Sequence, residues 1–123
     1  MSSILVVDDD AAVLEVVSEM LRLEGHEVTV AENGVDAVRE VAEHSYDLVI
    51  TDLIMPEKEG LETIADIRRN VDNMPIIAIS GGGRAGPSDY LETARFIGAD
   101  ATLAKPFRRQ ELIKTVESLL PTV

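Results

Sequence analysis

A chain of 123 residues, 46% of them hydrophobic, is long enough to close one core without disulfide or metal staples, and the absence of cysteine excludes thiolate metal sites, redox chemistry and a disulfide framework. Its 23 acidic residues against 11 basic ones, a formal net charge of −12, argue against a nucleic-acid surface and point to a cation or a basic partner as counterpart. No apolar run reaches bilayer-spanning length, and Met1-Ser2-Ser3 lacks the basic region and apolar segment of a signal peptide, so the expectation is a cytoplasmic protein without membrane contact.

Ile4-Leu5-Val6-Val7 is a short unbroken apolar run, the pattern of a strand buried on both faces, and it stops at Asp8-Asp9-Asp10. Asp10 can cap the next helix, which leaves Asp8 and Asp9 without a capping role. Val13, Val16, Val17, Met20 and Leu21 recur at helical spacing, and Gly25 supplies the stop. Val28 to Ala31 is the second strand, and Asn33-Gly34 turns into a helix with the inner stripe Ala37, Val38, Val41 and Ala42. His26 and His44 have no further ligand at metal spacing and are read as surface residues.

The run from Asp47 to Thr51 delivers Asp52 to its far end, and Pro56 forbids the strand from continuing. An Asp there can simply mark where a buried strand surfaces; the functional reading gains weight because other strands end the same way. Leu61, Ile64 and Ile67 form the next helix, with Arg68-Arg69 near its C-terminus, where the dipole favours positive charge. Ile76 to Ile79 is the fourth run and ends at Ser80, followed by three glycines without the GxxxxGK[ST] pattern of a nucleotide-binding loop. Gly81 to Ser88 is the most flexible stretch by composition, and a helix over Asp89 to Ile97 follows, closed by Gly98. Ala101 to Ala104 is a weaker strand ending at Lys105-Pro106-Phe107, and a final helix presents Leu112, Ile113, Val116, Leu119 and Leu120.

Strands alternating with helices imply a parallel sheet covered on both faces by right-handed crossovers. All strand carboxyl ends then share one edge, where Asp8, Asp9, Asp52, Ser80 and Lys105 should converge. Clustered carboxylates destabilise a fold unless a cation sits among them, and a few oxygen ligands favour Mg²⁺. A lysine opposite that metal suits a transferring phosphoryl group, whose oxygens carry the charge.

Val6-Val7-Asp8-Asp9, Asp52 with Met55-Pro56 and Gly60, Ser80-Gly81, Gly98-Ala99-Asp100 and Lys105-Pro106-Phe107 closely resemble, in order and spacing, the receiver domain of two-component response regulators. The resemblance spans essentially the whole chain, so residues 1–123 are expected to form one receiver domain of single-domain, chemotaxis-regulator-like type. It implies a flavodoxin-like doubly wound α/β fold: a five-stranded parallel sheet of order 2-1-3-4-5 with five helices. It also implies that Asp52 accepts a phosphoryl group from a sensor histidine kinase or histidine phosphotransfer protein, assisting only its own phosphorylation and dephosphorylation. Asp9 would bind Mg²⁺ directly, Asp8 through water, and Asp52 and the Ile54 backbone carbonyl would complete the metal set. Ser80 would hydrogen-bond the phosphoryl group, Lys105 would pair with another of its oxygens, and the Lys105-Pro106 bond would be cis.

Two features depart from that pattern. Thr102 stands where the family often places an aromatic switch residue, and the segment from Ser80 to Gly98 is longer and richer in glycine than usual. No output domain is visible in the sequence, so output is expected through a downstream protein target, a phosphorelay or a neighbour outside this sequence, without direct nucleic-acid contact by this chain. The alternative is a small Mg²⁺-dependent phosphotransferase or phosphatase using an aspartyl nucleophile on a free substrate. Against it, no second carboxylate stands two residues after Asp52, and there is no cap domain.

Overall fold

Aliphatic runs too short for helices become strands, and the stretches with apolar residues every third or fourth position become helices. The computed structural model describes residues 2–52, 60–71, 73–80, 98–104 and 107–120. In chain order these form β1 (Ser3–Val7), α1 (Ala11–Leu23), β2 (Glu27–Ala31), α2 (Gly34–Glu43), β3 (Leu48–Asp52), α3 (Gly60–Asn70), β4 (Ile76–Ser80), β5 (Ala101–Ala104) and α4 (Arg109–Leu119). The helix expected over Asp89 to Ile97 lies outside the described residues.

The strands form one parallel sheet in the order β2-β1-β3-β4-β5, as the resemblance implies. Every residue of β3 is buried, as is β1 from Ile4 onward, because helices cover both faces. On one face Leu5, Val7, Val49 and Ile76 meet Ala37 and Val41 of α2 and Ile64 and Ile67 of α3. On the other, Ile4, Val6, Ile50 and Ile77 meet Leu14, Val17 and Leu21 of α1 and Leu112 and Val116 of α4. Among the described residues no helix is long and apolar enough to cross a membrane.

Local chemistry sets the helix ends. The Asp10 carboxylate accepts the Ala12 amide at 2.9 Å, Asn33 Oδ1 accepts the Asp36 amide at 2.8 Å, and Gly25 takes φ 91° where α1 ends. The inner stripe of α1 differs from the expected one: Leu14, Val17, Ser18 and Leu21 are buried, whereas Val16 is 51% exposed. Val13 and Met20 flank that stripe, and Val16 falls on its far side, since one helical position is a turn of about 100°. In α2, Ala42 is likewise exposed and Gly34 is buried instead. His44 is exposed as expected, but His26 is half-buried with Nδ1 enclosed and unpartnered among the described residues. Its amide bonds Leu21 O at 3.2 Å, which tucks it beneath the end of α1.

Arg68 does more than answer a helix dipole. Its Nε and Nη2 donate to Gly98 O at 3.0 and 2.6 Å, and Nη1 donates to Met74 O at 2.5 Å. Nη2 also reaches Asp100 Oδ2 at 2.6 Å, and that same oxygen accepts the Ile76 amide at 2.8 Å. One guanidinium thus clasps the end of α3 to the starts of β4 and β5, fixing the amino edge of the sheet.

Candidate functional site

The strand order reverses between β1 and β3, and Val7 pairs with Thr51 there, so the residues that follow, Asp8 and Asp52, emerge side by side. Ligands of open α/β sheets bind at this crevice. Asp8 is held twice: its amide donates to Ala31 O at 3.1 Å, extending the ladder to β2, and its Oδ1 accepts the Asp10 amide at 2.9 Å. That second bond is an Asx turn, which the sequence could have announced, since Asp commonly bonds an amide two residues on. Asp52 is the last residue of β3, and its backbone carbonyl accepts the Thr51 hydroxyl at 3.0 Å.

One carboxylate oxygen from each of Asp8, Asp9 and Asp52 lies within 4.8 Å of the others. Asp8 and Asp52 are only 2% and 7% exposed, while Asp9 faces solvent. At an effective dielectric of 20, each like-charged pair at such a separation repels by about 3 kcal/mol, a large sum against the marginal stability of a domain. The donor set contains oxygen alone, with neither sulfur nor imidazole, and therefore fits a hard divalent cation such as Mg²⁺.

The remaining expected site residues fall out differently. Asp52 pairs with Ile79 and Ser80 with Ala104, so the backbones of Ser80 and of the residue before Lys105 reach the same edge. The Ser80 side chain, Ile54, Lys105 and the Lys105-Pro106 bond lie outside the described residues. Thr102 sits half-buried in β5 beside Ala78. Sequence reading did not foresee Arg68 as a clasp, because two of its three clasp partners, Gly98 and Asp100, lie 30 and 32 positions away in the chain.

A doubly wound parallel sheet with acids crowded at its switch point defines the class as a flavodoxin-like α/β domain with an acidic ligand edge. Residues 4–117 match the family model of the response regulator receiver domain. The chain is 39% identical over 120 residues to the transcriptional regulatory protein CpxR homolog of Haemophilus influenzae, covering 98% of this chain and 51% of that protein. It thus spans about half the length of the relatives it matches, as with response regulator MprA of a Mycobacterium species, of which it covers 50%. The solved structure of response regulator TrrA from Thermotoga maritima, in complex with Mg²⁺ and BeF, is 35% identical with a TM-score of 0.85, over 98% of this chain and 100% of that one. A receiver domain of a Pseudomonas aeruginosa sensor histidine kinase, with a magnesium ion coordinated in its active-site cleft, is 32% identical with a TM-score of 0.86, over 96% of each chain. This chain belongs to the receiver domain family of two-component response regulators, which are signalling switches.

Proposed function

We propose that the whole chain, residues 1–123, is a cytoplasmic phosphoacceptor switch that takes a phosphoryl group onto Asp52 from a sensor histidine kinase or histidine phosphotransfer protein. The observation that carries this reading is the convergence of Asp8, Asp9 and Asp52 where the strand order reverses. The two magnesium-containing receiver structures support it by likeness.

In the proposed reaction an Asp52 carboxylate oxygen attacks phosphorus, an acyl phosphate bond forms, and the phosphorus–nitrogen bond to the donor imidazole breaks. The departing imidazole keeps the electron pair of that bond and takes up a proton. Burial of Asp52 at the strand end fixes its orientation and limits competing water. The two ties on Asp8 hold its carboxylate still, and exposed Asp9 leaves one side open. Asp8, Asp9 and Asp52, with the Ile54 carbonyl that the resemblance adds, would hold Mg²⁺, which when bound offsets their charge and that of the phosphoryl oxygens. Ser80 and Lys105 are assigned to those oxygens by the same resemblance. The domain acts only on its own phosphorylation and dephosphorylation, and it signals through a downstream protein or an onward phosphoryl transfer.

Incubation with acetyl phosphate and MgCl₂, followed by intact-mass measurement, tests this. One phosphoryl adduct is expected on the wild type, and none on Asp52→Asn or in excess chelator. Equal labelling of Asp52→Asn, or labelling indifferent to chelation, would overturn the assignment.

A further inference from the structure

The edge strand β2 carries backbone groups that its own sheet does not use. Glu27 donates its amide to Ser2 O at 2.8 Å and Ala31 O accepts the Asp8 amide at 3.1 Å, so residues 27, 29 and 31 turn their main-chain groups toward β1. In a parallel ladder the N–H and C=O of one residue point to the same side and the side alternates along the strand. Val28 and Val30 therefore present theirs outward. Among the described residues one group meets them there: Arg22 Nη2, 3.5 Å from Val28 O, a long contact that an incoming amide would replace. Thr29 and Val30 are exposed, Val30 at 44% although it is β-branched and apolar.

Beside this edge, between β2 and α2, run two adjoining open grooves of about 330 and 350 Å³ that share Glu40 as a common wall. The first includes Thr29 and Tyr46, and the second includes Val30, Glu32, Asp36 and Arg39. The Tyr46 hydroxyl donates to Glu40 Oε1 at 2.5 Å and fixes that carboxylate in place. Arg39 lies 3.7 Å from Asp36 and offsets it, so among the described residues lining the grooves no lysine or arginine pairs with Glu32 or Glu40, and His44 is the one other nitrogen base beside them. Exposed Glu27 adds to the negative potential at the strand's start.

We propose that β2 docks an extended basic segment of a partner protein as a sixth strand. Its main chain exchanges hydrogen bonds with Val28 and Val30, and its Lys or Arg side chains on the α2 side reach Glu32 and Glu40. Main-chain pairing supplies adhesion, and the acids select the sign of the partner. A second copy of this chain is the wrong occupant: edge-to-edge pairing would bring two identical acidic grooves together on chains of formal charge −12 each. With only Val28 and Val30 turned outward the added ladder is short, so the contact is a transient one. This surface does not involve Asp52.

The test is titration of ¹⁵N-labelled protein with a short capped peptide alternating lysine and valine. The control peptides are the same sequence N-methylated on its pairing edge, and its glutamate counterpart. The lysine peptide should shift the Val28 and Val30 amides and slow their exchange, and both controls should leave them unchanged. Val30→Pro removes one outward N–H without touching the pairing to β1, and should abolish the effect. Glu32→Lys, which leaves the backbone intact, should weaken binding severalfold. The proposal fails if the N-methylated peptide binds equally well, if the shifts fall elsewhere on the molecule, or if sedimentation shows the chain pairing with itself through this edge.

Discussion

At the amino edge of the sheet the Arg68 guanidinium is met by Gly98 O, Met74 O and Asp100, each fixed by a neighbouring strand or turn, whereas at the carboxyl edge Asp8, Asp9 and Asp52 face one another with like charge. The same sheet therefore carries charge that is internally satisfied at one end and crowded at the other. Pairing at the amino edge sets how β4 and β5 begin. Crowding at the carboxyl edge sets like charges against one another with a repulsion of order several kcal/mol, which a bound cation would relieve. Stability is built where the partners are permanent, and responsiveness where the partner comes and goes.

That contrast breaks first at Arg68. Arg68→Ala leaves the Gly98 and Met74 carbonyls without this donor and the Asp100 carboxylate with only the Ile76 amide among the described residues, and should cost about 3 kcal/mol in urea unfolding, equally with and without Mg²⁺. A loss below about 1 kcal/mol would show that the amino edge holds without its clasp. At the carboxyl edge the sign should reverse. Asp52→Asn removes one of the crowded charges and should raise stability by about 1 kcal/mol in chelator, while added MgCl₂ should stabilise the wild type more than the variant. A variant that is less stable in chelator would mean that the neighbours of Asp52 already outweigh the repulsion.

The smallest effect concerns an acid with a permanent donor. Burial raises the Tyr46 phenol above its ordinary 10.0, and its hydrogen bond to Glu40 raises it further. The folded state thus holds that proton more tightly than the unfolded one, so the contribution is complete below pH 10.0 and fades as pH rises through the higher folded value. Tyr46→Phe should lose about 1 kcal/mol at neutral pH and lack this alkaline decline. Parallel curves for the two proteins above pH 10.0 would show that Glu40 does not hold the phenol's proton.

Much of the fold was legible because buried parallel strands leave short uninterrupted apolar runs: β1, β3 and β4 each appear within one residue of their expected limits. The convergence of Asp8, Asp9 and Asp52 followed from one topological fact, that strand carboxyl ends share an edge. The order of the strands came from the family resemblance, since periodicity says nothing about which strand lies beside which. Val16 misled because a helix rich in valine offers several plausible stripes, and only the real neighbours select Leu14, Val17 and Leu21. β2 began a residue early, at Glu27, because an edge strand half in solvent tolerates a charged start. Arg68 was opaque for a different reason: the helix dipole gave it a sufficient local explanation, and its true partners become neighbours only when the sheet closes.

Gly98 has φ 132°, and a methyl group there would lie 3.0 Å from Arg68 Nε and 3.2 Å from Cγ. Backbone strain and a tight contact thus act together at one position, against a side chain whose three nitrogens all donate within the clasp. Positions 68 and 98 are therefore coupled: a side chain at 98 both strains the turn before β5 and presses on the arginine that the clasp holds, so the effects of substitutions at the two positions should not add.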